Sequence, residues 1–202
     1  MTNEKELTTE ERIKVAATKI FIQKGYAGAR TRDIAEEAGI NLALLNYYYR
    51  SKEKLFEIIM MESMQELFFT IRAEVNNKES SLEDKIEYIV NLYFTVLSEN
   101  PNILLFVLGE LRNNPDNLTK VIGIPKNFFL ETFLYQQLDT RLKDNKRAID
   151  PFQIILNIFS LSIFPFLAQP LFKIVAGIQD EEYKAFLESR RKLIPVWIKA
   201  ML

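Results

Sequence analysis

Residues 31–56 read TRDIAEEAGINLALLNYYYRSKEKLF, and this stretch decides the fold. Ile34, Ala35 and Ala38 fall on one helical face, with Thr31 placed as an N-cap, so a short helix is expected from Thr31 to Ala38. Gly39 then supplies the tight turn. Asn41 can cap a second short helix that runs through the tyrosines, and Ser51 begins a longer one whose first turns reach Phe56. Two short helices around a glycine turn, packed on a preceding helix, form the unit that sets a recognition helix into the DNA major groove. The same spacing also suits an ordinary three-helix core.

Residue identity separates those readings. Asn41, Leu42, Asn46, Tyr47 and Tyr48 sit on the second short helix, and Arg50, Ser51, Lys52 and Lys54 follow it directly. Phenolic hydroxyls and lysine ammoniums bind phosphates, whereas an asparagine can bond adenine twice and a leucine can meet a thymine methyl. The segment thus offers contacts that give position and contacts that give sequence. Lys52 could instead be a solvated first-turn lysine, and Asn41 could serve as a cap alone.

Working outward, Ile13, Ala16, Ala17, Ile20 and Phe21 form the inner face of a first helix, opened by a Thr8–Glu11 capping box and ended at Gly25. The helix from Ser51 keeps a 3.6-residue period through Phe56, Ile59, Met60, Met64, Leu67, Phe68, Ile71 and Val75. NNKESS interrupts it, and Ser80 with Glu83 reads as the next capping box. Asn100-Pro101 separates two further helices, and a helix from Asn117 to Leu142 should break near Gly123 and Pro125. Asp150-Pro151 starts a helix that is apolar nearly all round and expected to be buried on two sides, and Asp180 opens a last helix interrupted at Pro195. No alternating strand pattern occurs. The expected class is all-α, with a three-helix helix-turn-helix domain over 1–50 and a larger helical bundle over 51–202.

Composition narrows the function. The chain has neither cysteine nor histidine, which removes thiolate and imidazole metal ligands and the usual general base near neutral pH, so no enzyme and no cofactor are expected. Net charge is −1, yet residues 1–56 hold ten Lys/Arg against eight Asp/Glu and the remainder sixteen against nineteen. A basic head on an acidic body follows. The start MTNEKELTTEER lacks the apolar stretch of a signal peptide, so a cytoplasmic location is expected. The apolar run Ile154 to Leu167 is broken by Asn157, Ser160, Ser162 and Pro165 and is shorter than a membrane span, which reads as a buried helix with no membrane partner.

From about Ile13 to Phe56 the sequence resembles the TetR family of one-component regulators, through TxxIAxxAGI at 31–40, the tyrosine cluster and KEKLF at 52–56. The resemblance implies Thr31 and Arg32 near the DNA backbone, Asn41, Leu42, Ala43 and Asn46 facing bases, and Tyr47, Tyr48 and Lys52 on phosphates, with Leu45 and Tyr49 in the core. Leu42 stands where the family often has a polar residue, and Asn46 where it often has tyrosine.

Behind the head, aromatic residues are dense. Together with the resemblance they imply an apolar pocket for a hydrophobic or aromatic small molecule, with Phe68, Phe94, Phe106, Phe129 and Phe133 as lining candidates. Asn91, Gln136, Asn157 and Arg112 are candidate polar anchors. An acidic lipid-like ligand would need a cation, for which Arg112, Lys120 and Lys126 are the candidates. A palindromic double-stranded operator calls for a homodimer. Phe152, Ile155 and Phe159 on the apolar helix, with Tyr183, Phe186, Leu187, Ile194 and Trp197 on the last helix, are the candidate interface. The expected mechanism is a repressor released by ligand. The alternative is a DNA-binding protein without small-molecule input, controlled by a protein partner or acting architecturally.

Overall fold

The computed structural model describes residues 7–202, so the first six residues of the N-terminal reading lie outside it. Among the described residues there are eleven helices and no strand: α1 Thr9–Gly28, α2 Thr31–Glu37, α3 Leu42–Tyr49, α4 Lys52–Val75, α5 Leu82–Glu99, α6 Asn102–Asn113, α7 Pro115–Ile122, α8 Phe128–Glu131, α9 Phe133–Asp144, α10 Pro151–Ala176 and α11 Asp180–Met201. They form two compact units, Met1–Met64 and Gln65–Leu202, with the division inside α4.

In the first unit, α1 starts at the expected capping box: the Thr8 hydroxyl accepts from the Glu11 amide at 3.2 Å and the Glu11 carboxylate accepts from the Thr8 amide at 2.8 Å. At Gly25 the chain leaves helical geometry, with φ 66° and ψ 169°, so the first helical run ends there as expected and a short helical turn follows to Gly28. Ile13, Ala16, Ala17, Ile20 and Phe21 are buried, and with Ile34, Ala35, Leu45, Tyr49, Leu55 and Ile59 they make the core of the head. Each large aliphatic side chain removed from water contributes about 1.5–3 kcal/mol before entropy is counted. Thr31 is not the cap of α2. Arg30 holds the N-cap position without a side-chain bond, and Thr31 is already the first helical residue. The reason lies in the extended backbone of Ala29 and Arg30, which brings the chain into the helix one residue early.

The second unit is built on α5, α10 and α11, which pack against one another pairwise, with α9 against α5 and α10. Its core includes Ile86, Ile89, Val90, Phe94, Ile154, Ile158, Ile194 and Ile198. The cap of α5 is Ser81 rather than Ser80: the Ser81 hydroxyl accepts from the Asp84 amide at 3.1 Å, while the Ser80 hydroxyl donates to Glu74 at 2.6 Å. The break near Gly123 and Pro125 is present, although α7 already begins at Pro115, a residue well suited to a first helical turn. Asn127, at φ 62°, leads into the four-residue α8.

One expectation about the last helices does not hold, the interruption of α11 at Pro195. At 26 residues α10 is long and apolar enough to cross a membrane, and only a third of its most apolar window is buried within the chain. It is therefore covered on one side only. Helix α11 continues through Pro195, whose side chain is buried. Pro165 of α10 is accommodated by α11. Pro165 cannot donate to the Leu161 carbonyl, and Arg190 Nε donates to that oxygen at 3.3 Å, while the Tyr183 hydroxyl donates to the Pro165 carbonyl at 2.7 Å.

Candidate nucleic-acid interface and sensor site

Helix α3 is held from behind. Gly39 takes φ 64° to turn the chain between α2 and α3, and an Arg12 guanidinium nitrogen donates to the Ala38 carbonyl at 2.5 Å and to the Gly39 carbonyl at 3.3 Å. These carbonyls end α2 and have no helical donor of their own, so α1 supplies it. Asn41 caps α3 as expected, its side-chain oxygen accepting from the Leu44 amide at 2.8 Å. That leaves the Asn41 amide NH2 to face outward. The acids of α2 are neutralised by α1: Lys19 pairs with Glu37 at 2.5 Å and Lys24 with Asp33 at 2.7 Å. The Lys24 hydrogen bond holds the Asp33 carboxyl below its usual 3.8.

With α3 so fixed, Leu45 and Tyr49 point into the core and Leu42 is half-buried. Ala43, Asn46, Tyr47 and Arg50 fall at i, i+3, i+4 and i+7 and are all exposed, so they share one outward face. Tyr47 is 80% exposed and Tyr48, at its side, 41%, with ring centroids 5.7 Å apart. A phenol that far out contributes little to a core. Arg50, which ends α3 at φ 51° and ψ −42°, is held at a positive φ that arginine rarely adopts. Arg32 is exposed and Thr31 half-buried at the start of α2. Lys52 sits differently from the other candidates: its ammonium donates to the carbonyls of Tyr26 at 2.9 Å and Ala29 at 3.1 Å and lies 4.4 Å from the Tyr26 ring centre. It ties the end of α1 to the start of α4, leaving one proton for any further acceptor.

The sensor candidates do not converge. Phe129 lines a closed apolar space with Ile71, Val75, Ile89, Phe128, Thr132, Leu134, Ile155, Ile158 and Phe159, and Phe68 lies one ring away, 5.0 Å from Phe128. Phe94 is packed on Phe166 at 5.2 Å, and Phe106 is half-buried on α6. Phe133 lines an open cleft between the starts of α5 and α9, of about 470 Å³, together with Gln136, Gln137 and Arg141. The proposed anchors lie apart from the closed space. Asn91 accepts from Arg191 at 2.6 Å on the surface, Arg112 is exposed, and the Asn157 amide is 3.6 Å from the Met201 sulfur. Lys120 and Lys126 are exposed as well.

The interface candidates divide likewise. Phe152, Phe186 and Trp197 are exposed and Phe159 is half-buried, whereas Ile155, Tyr183, Leu187 and Ile194 are buried inside the chain and present no outward surface. Tyr183 is drawn in by the Pro165 carbonyl. The outward apolar side of α10 is instead made by Phe152, Leu156, Phe164, Leu167 and Leu171, and that of α11 by Phe186, Leu193 and Trp197. Two features were passed over in the sequence: these α10 residues, hidden in a helix apolar all round, and Lys85. Lys85 is fully buried on α5 and stands one turn before Ile89 within the apolar stripe, which was its only signal.

A fixed three-helix head with an exposed polar and aromatic helix, carried by a larger helical bundle, is the build of a DNA-binding transcription regulator. Residues 13–59 match the family described as bacterial regulatory proteins, tetR family. It is 25% identical over 201 residues to the probable HTH-type transcriptional regulator YttP of Bacillus subtilis, covering 96% of this chain and 94% of that one. Among solved structures, a TetR/AcrR family regulator from Thermobifida fusca is similar at a TM-score of 0.62 and 16% identity, covering 92% of this chain and 96% of the other. FadR of Bacillus subtilis, solved with stearoyl-CoA, is similar at 0.55 and 18%, covering 91% and 96%.

Proposed function

We propose that the chain is a cytoplasmic, ligand-responsive repressor that binds a palindromic operator as a homodimer and releases it when a hydrophobic small molecule enters the body of the protein. The exposed face of α3, Ala43, Asn46, Tyr47 and Arg50, carries this reading. Asn41, Leu42, Ala43 and Asn46 take the bases. Tyr47, Tyr48, Thr31, Arg32 and the remaining Lys52 proton take the backbone. One α3 covers only a few base pairs, and two placed about 34–36 Å apart read an inverted repeat. The unpartnered apolar sides of α10 and α11 supply the second copy's seat, because a soluble chain rarely leaves so large a patch open to water. FadR's stearoyl-CoA supports an aliphatic ligand for the closed apolar space around Phe128 and Phe129.

In that space only about 10 Å³ is open to water, roughly one molecule's worth. A ligand must therefore displace the short α8, whose Phe128 and Phe129 fill it. Functionally the head over 1–50 reads DNA and the remainder over 51–202 senses and dimerises, with α4 common to the two compact units. A ligand that favours one setting of α4 shifts the DNA-competent population by its differential affinity. The test is a titration of operator-bound protein with aliphatic and aromatic compounds, read by DNA release. Release by one chemical class supports the sensor. The closed space also favours a second reading, a DNA-binding protein without small-molecule input, and no release by any class, with DNA binding intact, would support it.

A further inference from the structure

Lys85 is an ammonium sealed inside the second unit, and among the described residues no carboxylate is in ion-pair contact with it. Its side chain is wholly buried, and Nζ donates to the carbonyls of Asn77 at 2.5 Å and Ser80 at 2.6 Å. Nζ also lies over the ring of Phe133, 5.2 Å from its centre. Burial lowers the lysine's pKa, against the opposing pull of Glu74 and Asp84. A buried charge with only neutral partners is costly, and an anion brought to it recovers part of that cost.

Its position gives that cost a use. Ile89, one turn further along α5, lines the closed apolar space, and so do Val75, just before Asn77, and Thr132 and Leu134 on either side of Phe133. Chain neighbours of Lys85 and of its partners therefore line the apolar space, and Lys85 itself stands outside that lining. The one polar lining group, the Thr132 hydroxyl, is already engaged with the Phe129 carbonyl and the Tyr135 amide. Phe133 also lines the open cleft between α5 and α9, so its ring faces both the lysine and the cleft.

We propose that the sensor site takes an aliphatic carboxylate, its chain in the apolar space around Phe128 and Phe129 and its carboxylate on Lys85, reached by displacement of Phe133. This rests on the apolar-sensor reading above and adds the anionic head to it. A methyl ester of the same chain offers the same hydrocarbon but no charge to the ammonium.

The experiment is calorimetric titration of the full-length protein with lauric acid and with methyl laurate, each below the concentration at which it aggregates. Wild type is expected to bind the acid about tenfold or more tightly than the ester, as a charge-assisted hydrogen bond implies. Lys85→Met should abolish that preference while holding the ester's affinity within about twofold, and Arg141→Gln, in the adjoining cleft, should leave the preference in place. Equal binding of acid and ester by wild type overturns the proposal while keeping an apolar sensor. A preference that survives Lys85→Met, or disappears in Arg141→Gln alone, also overturns it. Binding of neither compound removes the aliphatic-sensor reading, and the proposal with it. The acid–ester comparison on wild type decides the matter even if Lys85→Met does not fold.

Discussion

At the scale of single residues, side chains on α3 divide by exposure and chemistry. Tyr47 is almost fully exposed and carries one hydroxyl suited to a phosphate, so Tyr47→Ala should weaken binding on every sequence alike and reduce the slope of log affinity against log salt by about 1. Asn46, on the same face, can bond a base edge twice. Asn46→Ala should cost about 1–3 kcal/mol on the operator and little on scrambled DNA. Fluorescence anisotropy on both duplexes at two salt concentrations checks the pair. Lys52 belongs to a different class, because two of its protons already bond the Tyr26 and Ala29 carbonyls. Lys52→Met should lower the stability of the head by about 1–2 kcal/mol in urea melts without DNA, a loss that a lysine serving only phosphate would not show.

At the scale of elements, α1 acts as the brace of the reading head through Arg12, Lys19 and Lys24. Asp33 is held below its usual 3.8 by its bond from Lys24, and Glu53 below 4.5 by its own backbone amide and by the Tyr26 hydroxyl. Carboxyl pKa values depressed by folding contribute stability that is present above the unfolded values and is lost as pH falls through the folded ones. The head should therefore loosen below about pH 4, and Asp33→Asn should flatten that acid limb. Circular dichroism melts across the acid range check it. The helices were legible from their apolar spacing, and the caps at Thr8 and Asn41 fell where expected. Those at Thr31 and Ser80 moved by one residue for local reasons. Extended backbone through Arg30 starts α2 early, and the Ser80 hydroxyl is taken by Glu74, which passes the cap to Ser81. Pro195 failed as a helix stop because a helix packed on two neighbours tolerates one missing amide.

For the whole molecule, the site legible in the sequence was the one carried by consecutive residues. The face of α3 could be read because eight residues set its geometry. The proposed sensor and dimer surface depend on which sides of α5, α10 and α11 meet, and a helix apolar all round, such as α10, does not announce its inner side. Tyr183 and Ile194 accordingly proved to be internal, while Leu167 and Leu171 lie outside. Leu167→Glu should give a folded monomer by sedimentation and lose operator binding together with dimerisation, because each half-site alone is bound weakly. Retained dimer in that variant would place the interface elsewhere.

The central claim is that α3 reads DNA as one half of a two-fold pair, and the most direct measurement is selection of bound duplexes from a random library by the purified protein at physiological salt. Enrichment of an inverted repeat with half-sites about 10–10.5 base pairs apart, bound about a thousandfold or more tightly than scrambled DNA, is the predicted result. Recovery of no common sequence, or of a single half-site without symmetry, would contradict it.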